Sequence, residues 1–168
     1  KHPAWTSKLE GPNRGRGLAL GFWLGGTQSS STLVLVHPDG TVTVSTGQVD
    51  LTGTRTTMRQ MAAEELQVPI EKVTVRMVDT SSAPYTDLSA GSRTTYTMTF
   101  AVKRACEHAL AQLKAHAADQ LKTTPEDIEY ANGRFWKKSN PEEALGWMEV
   151  CRNSIRRATG PIVGYGTV

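Results

Sequence analysis

An α+β fold is predicted: a two-layer domain in which helices pack on one face of a mixed β-sheet. Three features carry this expectation. Two β-rich segments, Thr32–His37 and Thr41–Thr46, flank a Pro38-Asp39-Gly40 turn. Two longer segments, beginning near Arg55 and Thr95, repeat apolar residues at helical spacing. A second pair of short runs, Ile128–Tyr130 and Arg134–Trp136, flanks Asn132-Gly133, a strong two-residue hairpin signal. With 168 residues and 38% hydrophobic content, the chain is long enough to bury one core.

In chain order, residues 1–15 are polar and rich in Gly and Pro, and read as an irregular arm or linker remnant ahead of a single domain over 16–168. Gly17 to Leu24 is mostly apolar and is expected as a first strand. Its glycines do not match the dinucleotide-binding fingerprint, and no helix pattern follows. In the first hairpin, Val42 and Val44 share one face and the hydroxyls the other. Met58, Met61, Ala62 and Leu66 form the inner stripe of a helix over Arg55–Leu66, which Val68-Pro69 ends. Lys72–Val78 alternates, with Val73, Val75 and Met77 pointing inward. Asp79–Ser92 lacks apolar periodicity, and irregular stretches of that length inside a domain often serve function. Thr95–Leu121 is a long helix with Val102, Cys106, Ala109 and Leu113 inside. Thr124-Pro-Glu-Asp127 is a short helical start. Asn140-Pro-Glu-Glu143, with a cap, an N1 proline and an acidic first turn, predicts a third helix to about Arg157. Gly160–Val168 is an extended segment interrupted by glycines.

Several function classes are disfavoured. The 19 basic and 16 acidic residues give +3, with the basic groups dispersed and no aromatic-basic stripe, so nucleic acid is not an expected partner. No apolar run reaches membrane-spanning length. Cys106 and Cys151 fall in helical patterns and read as buried, reduced thiols, consistent with a cytoplasmic location. His2, His37, His108 and His116 are scattered without metal-ligand spacing, and no metal site is expected. There is no Gly-x-Ser-x-Gly elbow and no convincing catalytic base. Asp50, Asp79 and Asp87 read mainly as turn and helix caps.

The informative stretch is Gly47 to Arg93. It contains two glycine-centred turns, Gly47–Thr56 and Leu88–Thr95, each leading into a helical pattern. A helix start offers unpaired backbone N–H groups and the positive end of the macrodipole. Each turn also brings an arginine (Arg55, Arg93) and clustered hydroxyls, among them Thr52, Thr54 and Thr56 around Gly53, and Ser89, Ser92, Thr94 and Thr95 around Gly91. Together they read as one composite site for a phosphate-bearing ligand. The alternative is that the glycines only turn the chain and the threonines only cap helices.

The order of Gly17–Gly21, Asp39–Val42, Gly47–Thr56, Ala62–Leu66, Asp79-Thr80, Gly91–Thr94 and Ala101-Val102 resembles the molybdopterin-binding large subunit of the xanthine dehydrogenase/aldehyde oxidase family, in its carbon-monoxide dehydrogenase-like branch. The resemblance implies that Thr52, Gly53, Thr54, Arg55, Thr56, Gly91, Ser92, Arg93 and Thr94 approach the pterin and its phosphates. It implies a molybdopterin cofactor in dinucleotide form, with the remainder of the large subunit and iron–sulfur and flavin modules as partners. It also implies a partial cofactor-binding domain, inactive alone, within a molybdenum hydroxylase that oxidises an aldehyde, an N-heterocycle or a CO-type substrate. Leu51–Thr54 departs from many members: it is a residue shorter and lacks their glutamine. The Gly-Glu motif that carries the family's base is absent from these residues. A stand-alone phosphate-binding or protein-interaction module is the other reading.

Overall fold

The structure, a computed structural model, describes residues 7–77, 79–156 and 160–168. Among the described residues, seven strands and three α-helices follow in the order β1 (Ser31–Val36), β2 (Val42–Thr46), α1 (Thr54–Glu65), β3 (Val73–Met77), α2 (Arg93–Leu121), β4 (Ile128–Ala131), β5 (Arg134–Lys137), β6 (Asn140–Gly146), α3 (Trp147–Arg156) and β7 (Ile162–Thr167). A 3-10 turn at Pro125–Asp127 precedes β4. The main sheet is mixed, in the order β3-β2-β1-β7, and a smaller antiparallel sheet has the order β4-β5-β6. The α+β expectation holds, with the second hairpin growing into a sheet of its own. Val78 and Arg157, the expected ends of the third strand and third helix, lie outside the described residues, as does His2.

Alternation sets the layers. Val34, Val44 and Val75 form one buried row across β1, β2 and β3, and Val36, Val42 and Val73 form the next. Met58, Ala62 and Leu66 of the first helical segment are buried, while Met61 and Met77 are only partly so. The inner stripe of α2, including Val102, Cys106, Ala109 and Leu113, is fully buried.

The closest packing is between α2 and β7. A Cβ on Gly164 would sit 1.9 Å from the Ala105 carbonyl oxygen, and one on Gly166 would sit 2.0 Å from that of Ala101. Glycine is required at both positions because the helix backbone occupies the side-chain space. The same approach closes the outer edge of β7. Arg104 Nη1 donates to the Thr167 carbonyl (2.5 Å), the Tyr165 N–H donates to His108 Nδ1 (3.2 Å), and Gln112 Nε2 donates to the Val163 carbonyl (2.7 Å). Four helical residues rise about 6 Å and two strand residues about 6.6 Å. Side chains spaced by four on α2 therefore match strand residues spaced by two, and they occupy backbone groups that would otherwise template another strand.

Two expected elements do not form. Asn140–Gly146 is strand β6 rather than the start of a helix, which begins at Trp147. Capping signals at Asn140 and Pro141 lose to a two-residue reversal after Lys137 and to pairing with β5, where Leu145 lies opposite Phe135. The Lys137–Glu143 ion pair (2.7 Å) adds to this hairpin. Gly17–Leu24 is not a strand: residues 7–29 are irregular, and Leu20 and Phe22 are 90% and 89% exposed. A strand needs a neighbour to receive its backbone groups, and none lies beside this segment among the described residues.

Two measurements check this packing. Gly164→Ala and Gly166→Ala should each destabilise the chain by roughly 2–4 kcal/mol in urea unfolding, while Gly21→Ala, with nothing near its Cβ position, should change stability by less than about 0.5 kcal/mol. Burial pushes the Cys106 and Cys151 thiols up to about 12, so both should resist iodoacetamide at pH 8 until the chain is denatured, as read by mass spectrometry. Their thiolates form first in the unfolded chain. Stability should therefore fall as pH rises from the ordinary thiol value of 9.0 towards about 12.

Candidate functional site

The sheet is apolar through its middle and polar at one end. Buried polar residues gather there: Ser30 and Thr32 before and within β1, Thr46 and Gln48 at the end of β2, and Arg93, Thr94 and Thr97 at the start of α2. Both glycine-centred turns meet at this end and enclose a cavity of about 410 Å³, within the usual range for small-molecule sites. Leu51, Thr52 and Thr54 line it from the first turn, and Ser89, Ala90, Ser92, Thr94 and Thr95 from the second.

The first turn is built for a sharp reversal. Thr52 and Gly53 both have positive φ, at 59° and 81°, conformations that glycine adopts without penalty and threonine does not. Gly53 is the N-cap of α1. Asp50 stands in for the missing side-chain cap: its Oδ1 accepts the Arg55 N–H (3.2 Å) and the Thr54 hydroxyl (3.4 Å). Gly47 packs the turn against the second loop, because a Cβ there would lie 3.0 Å from both the Ala83 Cβ and the Pro84 carbonyl oxygen.

The second turn is held by Arg93. Its side chain is fully buried and does not line the cavity. Nη1 donates to the carbonyls of Asp87 (2.8 Å) and Leu88 (2.6 Å). Nη2 donates to the Gln28 carbonyl (3.1 Å) and to the Ser30 hydroxyl. The loop is further stitched to the segment before β1 through Ser31 N–H to Tyr85 O (2.8 Å), Asp87 N–H to Ser29 O (3.1 Å) and Gly26 N–H to Gly91 O (2.8 Å). Asp79 and Asp87 accept the N–H groups of Ser81 (2.8 Å) and Leu88 (2.7 Å). The Ser81 hydroxyl and N–H together hold the Asp79 carboxyl below its usual range. Asp50 caps the start of α1 and Asp79 caps a turn, while Asp87 accepts the N–H of the adjacent Leu88.

Of the residues expected at a phosphate site, Thr52, Thr54, Ser92 and Thr94 line the cavity, while Gly53, Arg55, Thr56, Gly91 and Arg93 do not. Neither arginine is a wall residue. Arg55 is exposed and faces Asp50 (3.6 Å), and Arg93 is spent on carbonyls. Ser89 and Thr95 belong to the same hydroxyl clusters and join the wall. Gln48 carries no motif of its own in the sequence, although the buried alternation Val42, Val44, Thr46 continues to it. No carboxylate lines the cavity. No group of three or more His, Cys, Asp or Glu side chains is placed to hold a metal among the described residues. A wall of hydroxyls between two helix starts suits an oxyanion held by donors.

The contrast between the two arginines is measurable. Arg93→Met empties a fully buried guanidinium site, strands the carbonyls it collects and should cost roughly 2–4 kcal/mol by denaturant titration. Arg55→Met removes an exposed ion pair and should cost no more than about 1 kcal/mol.

The family model described as a molybdopterin cofactor-binding domain matches residues 2–167. The aldehyde oxidoreductase molybdenum-binding subunit PaoC of Escherichia coli O157:H7 is 37% identical over 122 residues, which is 72% of this chain and 16% of that protein. The carbon monoxide dehydrogenase large chain of Afipia carboxidovorans is 33% identical over 125 residues, 71% of this chain and 15% of that protein. Among solved structures, reconstituted CO dehydrogenase from Oligotropha carboxidovorans superposes with a TM-score of 0.73 at 26% identity, over 84% of this chain and 18% of that one. Quinoline 2-oxidoreductase from Pseudomonas putida 86 shares the fold, with a TM-score of 0.72 at 24% identity over 83% of this chain and 19% of that one. The chain thus spans about one sixth of the length of the curated relatives it matches. On a match that runs nearly its full length, and on a fold that carries the motifs in their expected order, this chain belongs to the molybdopterin cofactor-binding domain family.

Proposed function

We propose that the cavity between the two turns cradles the phosphate-bearing part of a molybdopterin cofactor, in its dinucleotide form, and that this chain is one part of a molybdenum hydroxylase. The observation that carries the reading is the composition of the wall: hydroxyl side chains from Thr52, Thr54, Ser89, Ser92, Thr94 and Thr95, at the start of two helices, with no carboxylate among them. Phosphate oxygens need donors. The Thr52 and Thr54 hydroxyls give their protons to the Leu51 (2.6 Å) and Val49 (3.1 Å) carbonyls and shape the wall, while Ser89, Ser92 and Thr95 at the start of α2 bring hydroxyls that suit an oxyanion without a permanent positive charge.

When bound, the cofactor supplies the redox chemistry of oxidative hydroxylation. This chain's residues bind and orient it. Thr54 is fixed by its hydroxyl bonds to the Val49 carbonyl (3.1 Å) and to Asp50. Thr94 is fixed by Ser89 (2.8 Å). Arg93 holds the second turn rigid from behind, so the wall is formed before a ligand arrives, which lowers the ordering cost of binding. The iron–sulfur and flavin modules, the rest of the large subunit and the cytoplasmic setting follow from the same reading. Two relatives bear the printed names of a subunit and a large chain, which supports an assembled enzyme. The aldehyde, N-heterocycle or CO-type substrate belongs to residues outside this wall.

Calorimetric titration of inorganic pyrophosphate into the full chain tests the cradle. Wild type should bind, and a Ser92→Ala/Thr95→Val double variant should bind at least about tenfold more weakly, a loss of about 1.4 kcal/mol. Equal affinity in both, or no affinity in wild type, would remove the cradle. A second check adds an aldehyde and an artificial electron acceptor to the chain alone: no turnover is expected, and turnover would contradict its role as one part of the site.

A further inference from the structure

Behind the cavity wall lies a side chain that the cradle leaves unexplained. Gln48 is 3% exposed. Its backbone N–H donates to the Thr46 hydroxyl (3.1 Å). Its amide nitrogen Nε2 donates to the Thr94 hydroxyl oxygen (3.4 Å), while Oε1, equally buried, has no partner. A buried acceptor without a donor is unfavourable. Methionine or leucine would occupy a similar space without that penalty, so packing alone does not account for an amide here.

We propose that Gln48 is a positioning residue that sets the direction of the hydroxyl row lining the cavity. This rests on the cradle reading and deepens it. A hydroxyl can both donate and accept, and its neighbours decide which. The Gln48 amide fills one of the two lone pairs of Thr94 Oγ1, and in the proposed row the Thr94 proton goes to Ser89 Oγ, 2.8 Å away. Ser89 then accepts, and its own proton is free for the cavity. The sequence amide, Thr94, Ser89 ends in a donor, which is what a phosphate oxygen requires. Had Gln48 been an acid, its carboxylate would take the Thr94 proton, and the row would present lone pairs to the anion instead. Bonds in such a row also polarise one another, so that a buried donor at one end strengthens the donor at the other.

The test uses the full chain with inorganic pyrophosphate as the probe, followed by calorimetry, with thermal unfolding in parallel. Gln48→Met should weaken binding about three- to tenfold while leaving the unfolding midpoint unchanged or higher, since an unpartnered acceptor has gone. Gln48→Glu should weaken it more than tenfold. Ser89→Ala should match Gln48→Met, and the double variant Gln48→Met/Ser89→Ala should lose no more than either alone, because both break the same row. Pyrophosphate bound equally by wild type and Gln48→Met, or additive losses in the double variant, would overturn the relay while leaving the cradle standing. Failure of wild type itself to bind would instead remove the cradle on which it rests. A fall in the unfolding midpoint of Gln48→Met with unchanged affinity would make Gln48 a structural residue and overturn the proposal.

Discussion

The contact between α2 and β7 permits no side chain on the strand. Gly164 and Gly166 lie against the carbonyls of Ala105 and Ala101 at distances where a methyl group cannot exist. That contact fixes the height of the helix above the sheet and its position along it. Arg104, His108 and Gln112 reach the edge of β7 only at this height and only in this register. A slide of one residue would rotate the helix by roughly 100° and break every rung. With the middle of α2 pinned, its first residues are carried to the polar end of the sheet, where Arg93 falls within reach of Ser30 and the Asp87 and Leu88 carbonyls.

Arg93 then turns an irregular loop into a wall. Residues 79–92 contribute little apolar burial, and a loop of that kind ordinarily opens at low cost. Here one guanidinium collects carbonyls from the loop itself and from the segment before β1. A buried cation is tolerated because each of its two terminal nitrogens finds oxygen acceptors. The same residues that secure the loop keep the positive charge away from the cavity. The cavity wall therefore has a rigid back and a neutral front.

The elements set by short-range patterns were legible in the sequence. The Pro38-Asp39-Gly40 and Asn132-Gly133 turns, the buried valine rows and the inner stripe of α2 all follow from alternation or helical spacing. Elements set by partners were not. Asn140 to Glu143 carries a helix-start pattern, but Phe135 and Leu145 reward a strand pairing that no local window contains. Gly17–Leu24 looks like a strand, yet strand character needs an adjacent ladder. At the site, glycine and threonine density located both turns, and their convergence fits the composite-site expectation. The direction of each side chain was beyond composition. Arg93 and Arg55 look alike in sequence, both just after a glycine turn, and only the three-dimensional position of Ser30 and Asp50 separates a buried clamp from an exposed ion pair. Gln48 was readable in principle, as the next inward position of β2 beyond Thr46.

A neutral front has consequences for how a charged ligand is recognised. A wall of arginines attracts any anion from a distance and is weakened by salt. Hydroxyls and helix starts act only at contact distance, within the first turn of each helix, and they discriminate by where each oxygen sits. Such a wall selects for shape and donor pattern over net charge. The aspartates of both turns reinforce this: Asp50, Asp79 and Asp87 are each committed to backbone N–H groups, so none is left facing the cavity to repel a phosphate or to act as a base. Binding and orientation are thus the chemistry this wall supports.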